Sequence, residues 1–290
     1  MAALISTDFE IPAEISRGIF EKAQKGSTLA QLSGARPQKF GKQQVWVLTA
    51  PPKAELVGEG GQKSPTPTTY GAKTINPFKL QVTMRFSQEV QWADEDVQIG
   101  VLQDLASNAG IALGRALDLV GIHKINPLTG TVSDLVKEGL IDTTQKVELT
   151  GTKYDEAISS GYTPSGIAMD PTLSFGLSTM RDANGRKIYP EIGFGQNLTN
   201  FSGMQASVSD TVSAKNEITA DTNLLGIIGQ FDAFRWGVQR SIGAHLIEYG
   251  DPDGLGDLQR QNQIAIRAEI VYGIGILDQK AFTKIMKAAG

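Results

Sequence analysis

The chain has 290 residues, 40% of them hydrophobic and 20% charged, with a formal net charge of −4. Such a composition describes a folded protein with a substantial core, in one large or two modest domains, and gives no case for disorder. With no cysteine and only His123 and His245, it excludes disulfides, zinc–thiolate sites and thiol nucleophiles, and no histidine-rich metal centre is expected.

The opening stretch, MAALISTDFEIP, has neither a basic leader nor an apolar core, so no secretory signal is expected. No uninterrupted apolar run reaches the roughly 18 residues of a membrane span. The reading is a soluble chain made in the cytoplasm. From Met1 to Lys53 seven basic residues (Arg17, Lys22, Lys25, Arg36, Lys39, Lys42, Lys53) stand against four acidic ones (Asp8, Glu10, Glu14, Glu21), and the remainder is acidic. A basic arm suits an acidic partner surface or a polyanion; the alternative is a solvated arm without a partner.

Ile5 to Gly26 reads as an extended piece ending at Pro12, then a weak amphipathic helix with Ile15, Ile19, Phe20 and Ala23 on one side. It has too little apolar surface to offset about 1–2 kcal/mol of backbone entropy per residue, so it should lean on another surface. Lys42 to Ala50 reads as a strand. Asn76 to Trp92 reads as a longer one, with Leu80, Val82, Met84, Phe86, Val90 and Trp92 on even positions. The roughly 25 residues between them, rich in glycine, proline and threonine, are too long for an ordinary connection. Within them GEGGQKS has the flavour of a phosphate-binding loop, but Gln62 rather than glycine precedes Lys63 and no helix follows.

Asp94 to Gly121 reads as the strut of the chain, a helix of roughly 40 Å capped by Asp94. Its apolar stripe is Val101, Leu102, Leu105, Ala109, Leu113, Ala116, Leu117 and Val120. Gly110 and Gly114, with Ala106, Ala109 and Ala112, leave a strip where another backbone can approach; a helix merely tolerating glycine is the alternative. The expected visitors are the C-terminal strands. Further on, SGIAMDP is a short buried strand, Pro171 to Arg181 a helix with proline in its first turn, DANGR a turn, and MQASVSD a strand. Asn223 to Tyr249 is strand-rich, Gln263 to Leu277 alternates as a strand, and Asp278 is expected to cap a terminal helix over QKAFTKIMKAA.

No residues converge as enzyme chemistry requires. SGI and FSGM lack the nucleophile-elbow frame, and Glu138 with Asp142 reads as a solvated helix face. DPDGLGD (Asp251 to Asp257) is a turn whose carboxylates are the one candidate cation site, though without helix-loop-helix spacing. His123 is expected to serve the helix C-terminus, His245 to pack in a core, and Trp46, Trp92 and Trp236 to fill strand cores rather than stack bases. The basic arm and the long hairpin cannot be stable alone. They fit a self-assembling protein whose appendages bury surface on neighbouring copies.

The segments AELVGEGGQKS, FKLQVTMRFSQEVQWADEDVQ, GIAMDPTLSFGLSTMRDANGRKIYP, LTNFSGMQASVSDTV, IIGQFDAFRWGVQ and NQIAIRAEIVYGIGILDQKAF follow one another in order. Collinear over nearly the whole chain, they resemble the major capsid proteins of tailed bacteriophages with the Hong Kong 97 fold, particularly those of actinobacteriophages. The resemblance implies an α+β capsid fold. Its parts would be an N-terminal arm (1–40), an extended E-loop (41–90), a peripheral domain (91–145 and 257–290) with the spine helix 94–121, and an axial domain (146–256). It implies pentamers and hexamers in an icosahedral head shell enclosing double-stranded DNA without sequence-specific binding, with no enzyme activity, cofactor, metal or membrane. Because the arm starts near Met1, a separate scaffolding protein or a processed chain is implied, with a portal and cement proteins as further partners. The location would be the virion, after assembly in the host cytoplasm. Assembly contacts fall on Arg17, Lys22, Lys25, Lys53, Glu55, Glu59, Lys63 and Lys73; which lysine, if any, crosslinks to a neighbour is left open. An encapsulin-type compartment enclosing protein cargo is the alternative, and a monomeric ligand-binding module is the alternative of another class.

Overall fold

The computed structural model describes residues 22–23, 26–50, 52–66, 68–92, 95–149, 162–190, 192, 198–218 and 221–288. Expectations for Arg17, Lys25, the arm helix before Lys22 and the Asp94 cap lie outside them. In chain order the elements are α1 (Thr28–Leu32), β1 (Gln43–Ala50), β2 (Thr69–Ser87), α2 (Glu95–His123), β3 (Lys146–Leu149), β4 (Gly166–Met169) and α3 (Pro171–Thr179). There follow β5 (Asn200–Phe201), β6 (Met204–Val208), β7 (Leu224–Gly229), β8 (Phe234–Ile247), β9 (Gln263–Ile276) and β10 (Phe282–Lys287).

Two sheets organise these strands, one of four in the order β1-β2-β9-β8 and one of six in the order β3-β10-β7-β4-β6-β5. The larger sheet carries α3, whose Leu173 and Leu177 pack with Ile167, Met169, Leu225 and Ile285. Asp170 caps α3 by accepting Thr172 N–H at 2.7 Å, with Pro171 inside the first turn. Each sheet crosses the boundary at residue 256 expected from sequence, because β8 pairs with β9 and β10 pairs with β7 and β3. The expected terminal helix is therefore a strand: a 3-10 turn capped by Asp278 leads into β10, where two flanking strands satisfy the backbone and override local helix propensity.

The long helix α2 runs over 29 residues, two past its expected end. Gly121 does not stop it, because that position is buried among Leu29, Phe234 and Ile274; the left-handed Lys124 (φ 59°) does. Its segment Gln103–His123 is long and apolar enough to cross a bilayer by composition. Here its apolar side is instead occupied by the main core, including Leu113, Leu117, Val120, Phe234, Tyr272 and Ile274. The small-residue strip has a different visitor from the one expected. A Cβ on Gly114 would overlap the carbonyl of Ala23, so the N-terminal segment, not the C-terminal strands, uses this strip; the strands arrive two turns later, at Gly121.

Asp118, fully buried on α2, ties three elements together. One carboxylate oxygen accepts Ser27 Oγ–H (2.6 Å) and Leu29 N–H (2.9 Å); the other accepts Thr28 N–H (2.8 Å) and Thr211 Oγ1–H (3.0 Å). Ser27 in turn caps α1 through Ala30 N–H. Burial pushes the Asp118 carboxyl above its ordinary value, against the pull of these donors. One turn away Arg115 grips the same 210–217 loop, donating to Asp210 (2.7 and 3.1 Å) and Glu217 (2.6 Å). One turn beyond, His123 Nε2 meets the carbonyls of Thr211 and Val212, as expected of a histidine in the last turn.

From α1 the chain wraps the outer edge of β8. Trp236 Nε1–H donates to Ser33 O (2.7 Å), Arg36 N–H to Trp236 O (2.9 Å), and Gln38 Nε2–H to Gly273 O (3.3 Å). Gly237 and Gly273 pair across β8 and β9, and a side chain on either would collide with Arg36 or Gln38, so glycine opens the track this strap follows. The strap delivers the chain directly to β1.

Gly114→Leu should destabilise the unassembled subunit by about 1–3 kcal/mol through overpacking against Ala23. Gly100→Ala, with open space around the added methyl, should gain up to about 1 kcal/mol; opposite shifts in thermal midpoint check the pair. Asp118→Asn leaves a backbone donor of the 27–29 turn without an acceptor and should cost about 1–3 kcal/mol by denaturant unfolding. The Arg115 guanidinium holds the Asp210 carboxyl below its ordinary 3.8. Its stabilisation is therefore complete above that value and lost as pH falls through the lower folded value. Asp210→Asn should flatten the acid limb of the Tm-versus-pH curve below about pH 4.

Candidate functional site

The surfaces available for function gather on the β1–β2 hairpin and its base. The strands pair antiparallel from Gln43 opposite Ile75 to Ala50 opposite Thr69, so β2 takes up part of the expected loop. Even positions of β1 face outward: Trp46 is 70% exposed, Leu48 41%, and Tyr70, opposite Leu48, 61%. Trp46 is thus no core residue, contrary to expectation, because none of the described residues covers this face; Trp236 does fill the core. β1 is also an edge strand, and its eight residues QQVWVLTA include no charge to discourage pairing.

The tip is ordered by its own polar groups. Glu55 accepts Ser64 N–H (3.0 Å) and Oγ–H (3.1 Å), Thr66 Oγ1–H donates to Lys53 O (3.3 Å), and Gly61 N–H closes a turn on Gly58 O (2.9 Å). GEGGQKS is therefore a hairpin tip and not a phosphate cradle. Lys53, Glu55, Glu59 and Lys63 are all exposed there, with Leu56 fully so. Lys22 sits elsewhere, donating to Ser107 Oγ on α2 at 2.6 Å.

At the hairpin base lies a groove of about 760 Å³, lined by Lys42, Gln44 and Thr74 on one side and Leu135 and Lys137 on another, with Phe78 and Ile274 also lining it. Lys73 lines it too, but its ammonium is held by both carboxylate oxygens of Glu138 (3.0 and 3.1 Å).

The acidic turn 251–257 holds a cation of its own, the Arg85 guanidinium of β2. Arg85 donates through Nε to both oxygens of Asp253 (2.8 Å) and through Nη2 to Asp251 (3.0 Å), Asp253 and Gly256 O (2.9 Å). The hydrogen bond from Arg85 holds the Asp253 carboxyl below its usual range. No group of three or more potential metal ligands occurs among the described residues. His245, expected in a core, is exposed opposite Arg267 on the β8 edge strand.

Sequence reasoning did not single out Leu48, Tyr70, Leu135 or Arg85. For Leu48 the signal was in the chain, the uncharged apolar run Val45 to Leu48; Tyr70, on the charged strand β2, joined it only through pairing with Leu48. Arg85 had no local signal, since its partners lie more than 160 residues away.

The chain matches the model of the phage capsid family over residues 8–286. A solved chain from Mycobacterium phage Ogopogo is 49% identical with a TM-score of 0.79, covering 90% of this chain and 92% of that one. One from Gordonia phage Cozz is 33% identical with a TM-score of 0.75, covering 91% and 87%. The capsid of an empty GTA particle shares the fold at 16% identity, with a TM-score of 0.64 over 91% and 90% of the two chains. No curated protein matches. These matches do not favour an encapsulin-type compartment. An exposed hairpin and an uncharged edge strand agree with them: the chain belongs to the phage capsid family, as a structural, non-enzymatic major capsid protein of the Hong Kong 97 fold that forms the virion shell.

Proposed function

We propose that copies of this chain close as pentamers and hexamers into an icosahedral shell around double-stranded DNA. The β1–β2 hairpin acts as the E-loop, laid over a neighbouring copy. The observation that carries this reading is the outward apolar face of Trp46, Leu48 and Tyr70, which has no cover among the described residues. Covering it on a neighbour removes that area from water at roughly 25 cal/mol per Å². The arm is residues 1–40, the E-loop 41–90 and the spine helix is α2, Glu95–His123. Since β8 and β10 exchange sheets, the peripheral and axial domains are better divided by sheet than at residue 256. The four-stranded sheet with α2 is peripheral, and the six-stranded sheet with α3, whose Phe175 is 60% exposed, is axial.

DNA is enclosed without sequence readout, and the acidic body limits its adhesion to the shell wall. A separate scaffolding protein, a portal and cement proteins complete the head, which assembles in the host cytoplasm. Lys53 and Lys63 at the hairpin tip remain available as contacts; Lys73 is already paired in its own subunit.

Electron cryomicroscopy of the expressed protein should show closed shells with the hairpin over an adjacent copy. The triple variant Trp46→Ser, Leu48→Ser, Tyr70→Ser should keep the wild-type thermal midpoint as a subunit yet lose at least about tenfold in particle yield. Wild-type protein remaining at its 31.1 kDa monomer mass by light scattering at high concentration would sink the reading.

A further inference from the structure

Two buried side-chain nitrogens have no hydrogen-bond partner among the described residues, Nε of Arg235 and Nδ1 of His123. An arginine keeps its charge at every ordinary pH, whereas an imidazole changes charge near neutrality. His123 is 4% exposed and ends α2. Its other nitrogen, Nε2, lies 3.2 Å from Thr211 O and 2.9 Å from Val212 O. Carbonyls only accept, so Nε2 carries the hydrogen and the neutral ring leaves Nδ1 bare. A proton added to His123 must go to Nδ1, where it makes a buried charge and a donor with no acceptor among the described residues.

The segment that owns those carbonyls is strained. Residues 209–218 belong to the connection from β6 to β7 of the six-stranded sheet, yet they fold onto α2, which packs on Tyr272 and Ile274 of the four-stranded sheet. Ala214, fully buried in mid-segment, is held at φ 53°, a left-handed conformation disfavoured for a residue with a Cβ. Such a conformation persists only where its surroundings impose it. Three side chains of α2 do so: Arg115 grips Asp210 and Glu217, Asp118 accepts from Thr211, and His123 donates to Thr211 and Val212.

We propose that His123 is a proton-operated latch, which holds the 209–218 segment on α2 while neutral and releases it when protonated. Burial keeps the imidazole below its ordinary 6.5, against the pull of the two carbonyls. The released segment therefore leaves a histidine that binds the proton more readily. The grip is complete above pH 6.5 and is lost as pH falls through the lower value of the docked state. The surrounding charges do not offset this. On α2 stand Arg115 and Asp118, on the segment Asp210, Lys215 and Glu217, and just beyond it Asp221. Asp210 and Glu217 are engaged by Arg115, and Lys124 is turned to Asp142 at 2.8 Å. β9 presents Tyr272, and residues 125–133 carry no charge. Asp118 acts in the opposite sense, because burial raises its carboxyl and protonation there favours the docked state. A variant that alters only the histidine separates the two.

Hydrogen exchange of the 290-residue chain, read by mass spectrometry and corrected for the pH dependence of intrinsic exchange, tests the latch. The amides of Val212, Ala214, Glu217 and Ile218 bond within the segment. Between about pH 8 and about pH 5 they should lose protection at least about tenfold, while the β9 amides paired to β2 and β8 keep theirs. His123→Gln keeps an N–H for the carbonyls and cannot take the proton. It should retain wild-type protection at the higher pH and lose the acid response. Equal protection of the wild-type segment at both values would overturn the latch, as would an acid response that survives in His123→Gln. The wild-type titration is an independent readout, whose midpoint should fall between about pH 4 and pH 6.5. Release confined to lower pH, where Asp210 titrates, would assign it to the Arg115 pair and overturn the proposal.

Discussion

A single buried carboxylate sets the geometry of this subunit. A charge taken out of water costs several kcal/mol unless donors replace its hydration, and around Asp118 two backbone N–H groups and two hydroxyls do so. The donors come from the 27–29 turn and from Thr211, so the arm root, the long helix and the loop leading to β7 can satisfy one another in only one arrangement. Arg115 and His123, one turn to either side, repeat the grip on that loop. A shell subunit needs such a rigid centre, because errors in its internal angles would accumulate over many copies.

Around that centre the chain leaves its interaction chemistry unfinished. Trp46 and Leu48 on the edge strand and Tyr70 beside them are exposed, and in the groove beneath them Lys42 and Lys137 have no carboxylate partner among the described residues. By contrast, Arg85 is almost fully enclosed by the 251–257 turn, an internal ion-pair knot that fastens the far end of β2. The ion pairs of Arg85 and Arg115 thus fasten parts of the body to one another, whereas the hairpin face offers the chemistry for the contacts proposed between copies.

Much of this was legible from local pattern. The alternation in Leu80 to Phe86, the capped start of α3 at Asp170-Pro171 and the long apolar stripe of α2 each specify their element by periodicity or by a capping group. What could not be read depended on distant partners. QKAFTKIMKAA suits a helix until β3 and β7 offer their edges. Trp46 and His245 look like core residues until the sheet order places their strands at its edges. The glycine strip on α2 was visible, but not that Ala23 would fill it. Among the expected contact residues, exposure at the tip followed from composition, whereas the pairing of Lys73 with Glu138 arose from tertiary structure.

The strap from Ser33 to Gly41 carries one more consequence. It is the only covalent link between the arm and the hairpin, and it is pinned across β8 by Trp236, Gln38 and Gln239 with no room for side chains beneath it. The two appendages therefore share one fixed hub and cannot trade slack. In the shell proposed above, an adjustment of the hairpin is therefore not passed back through the strap, which acts as a fixed post between the two sides of the chain.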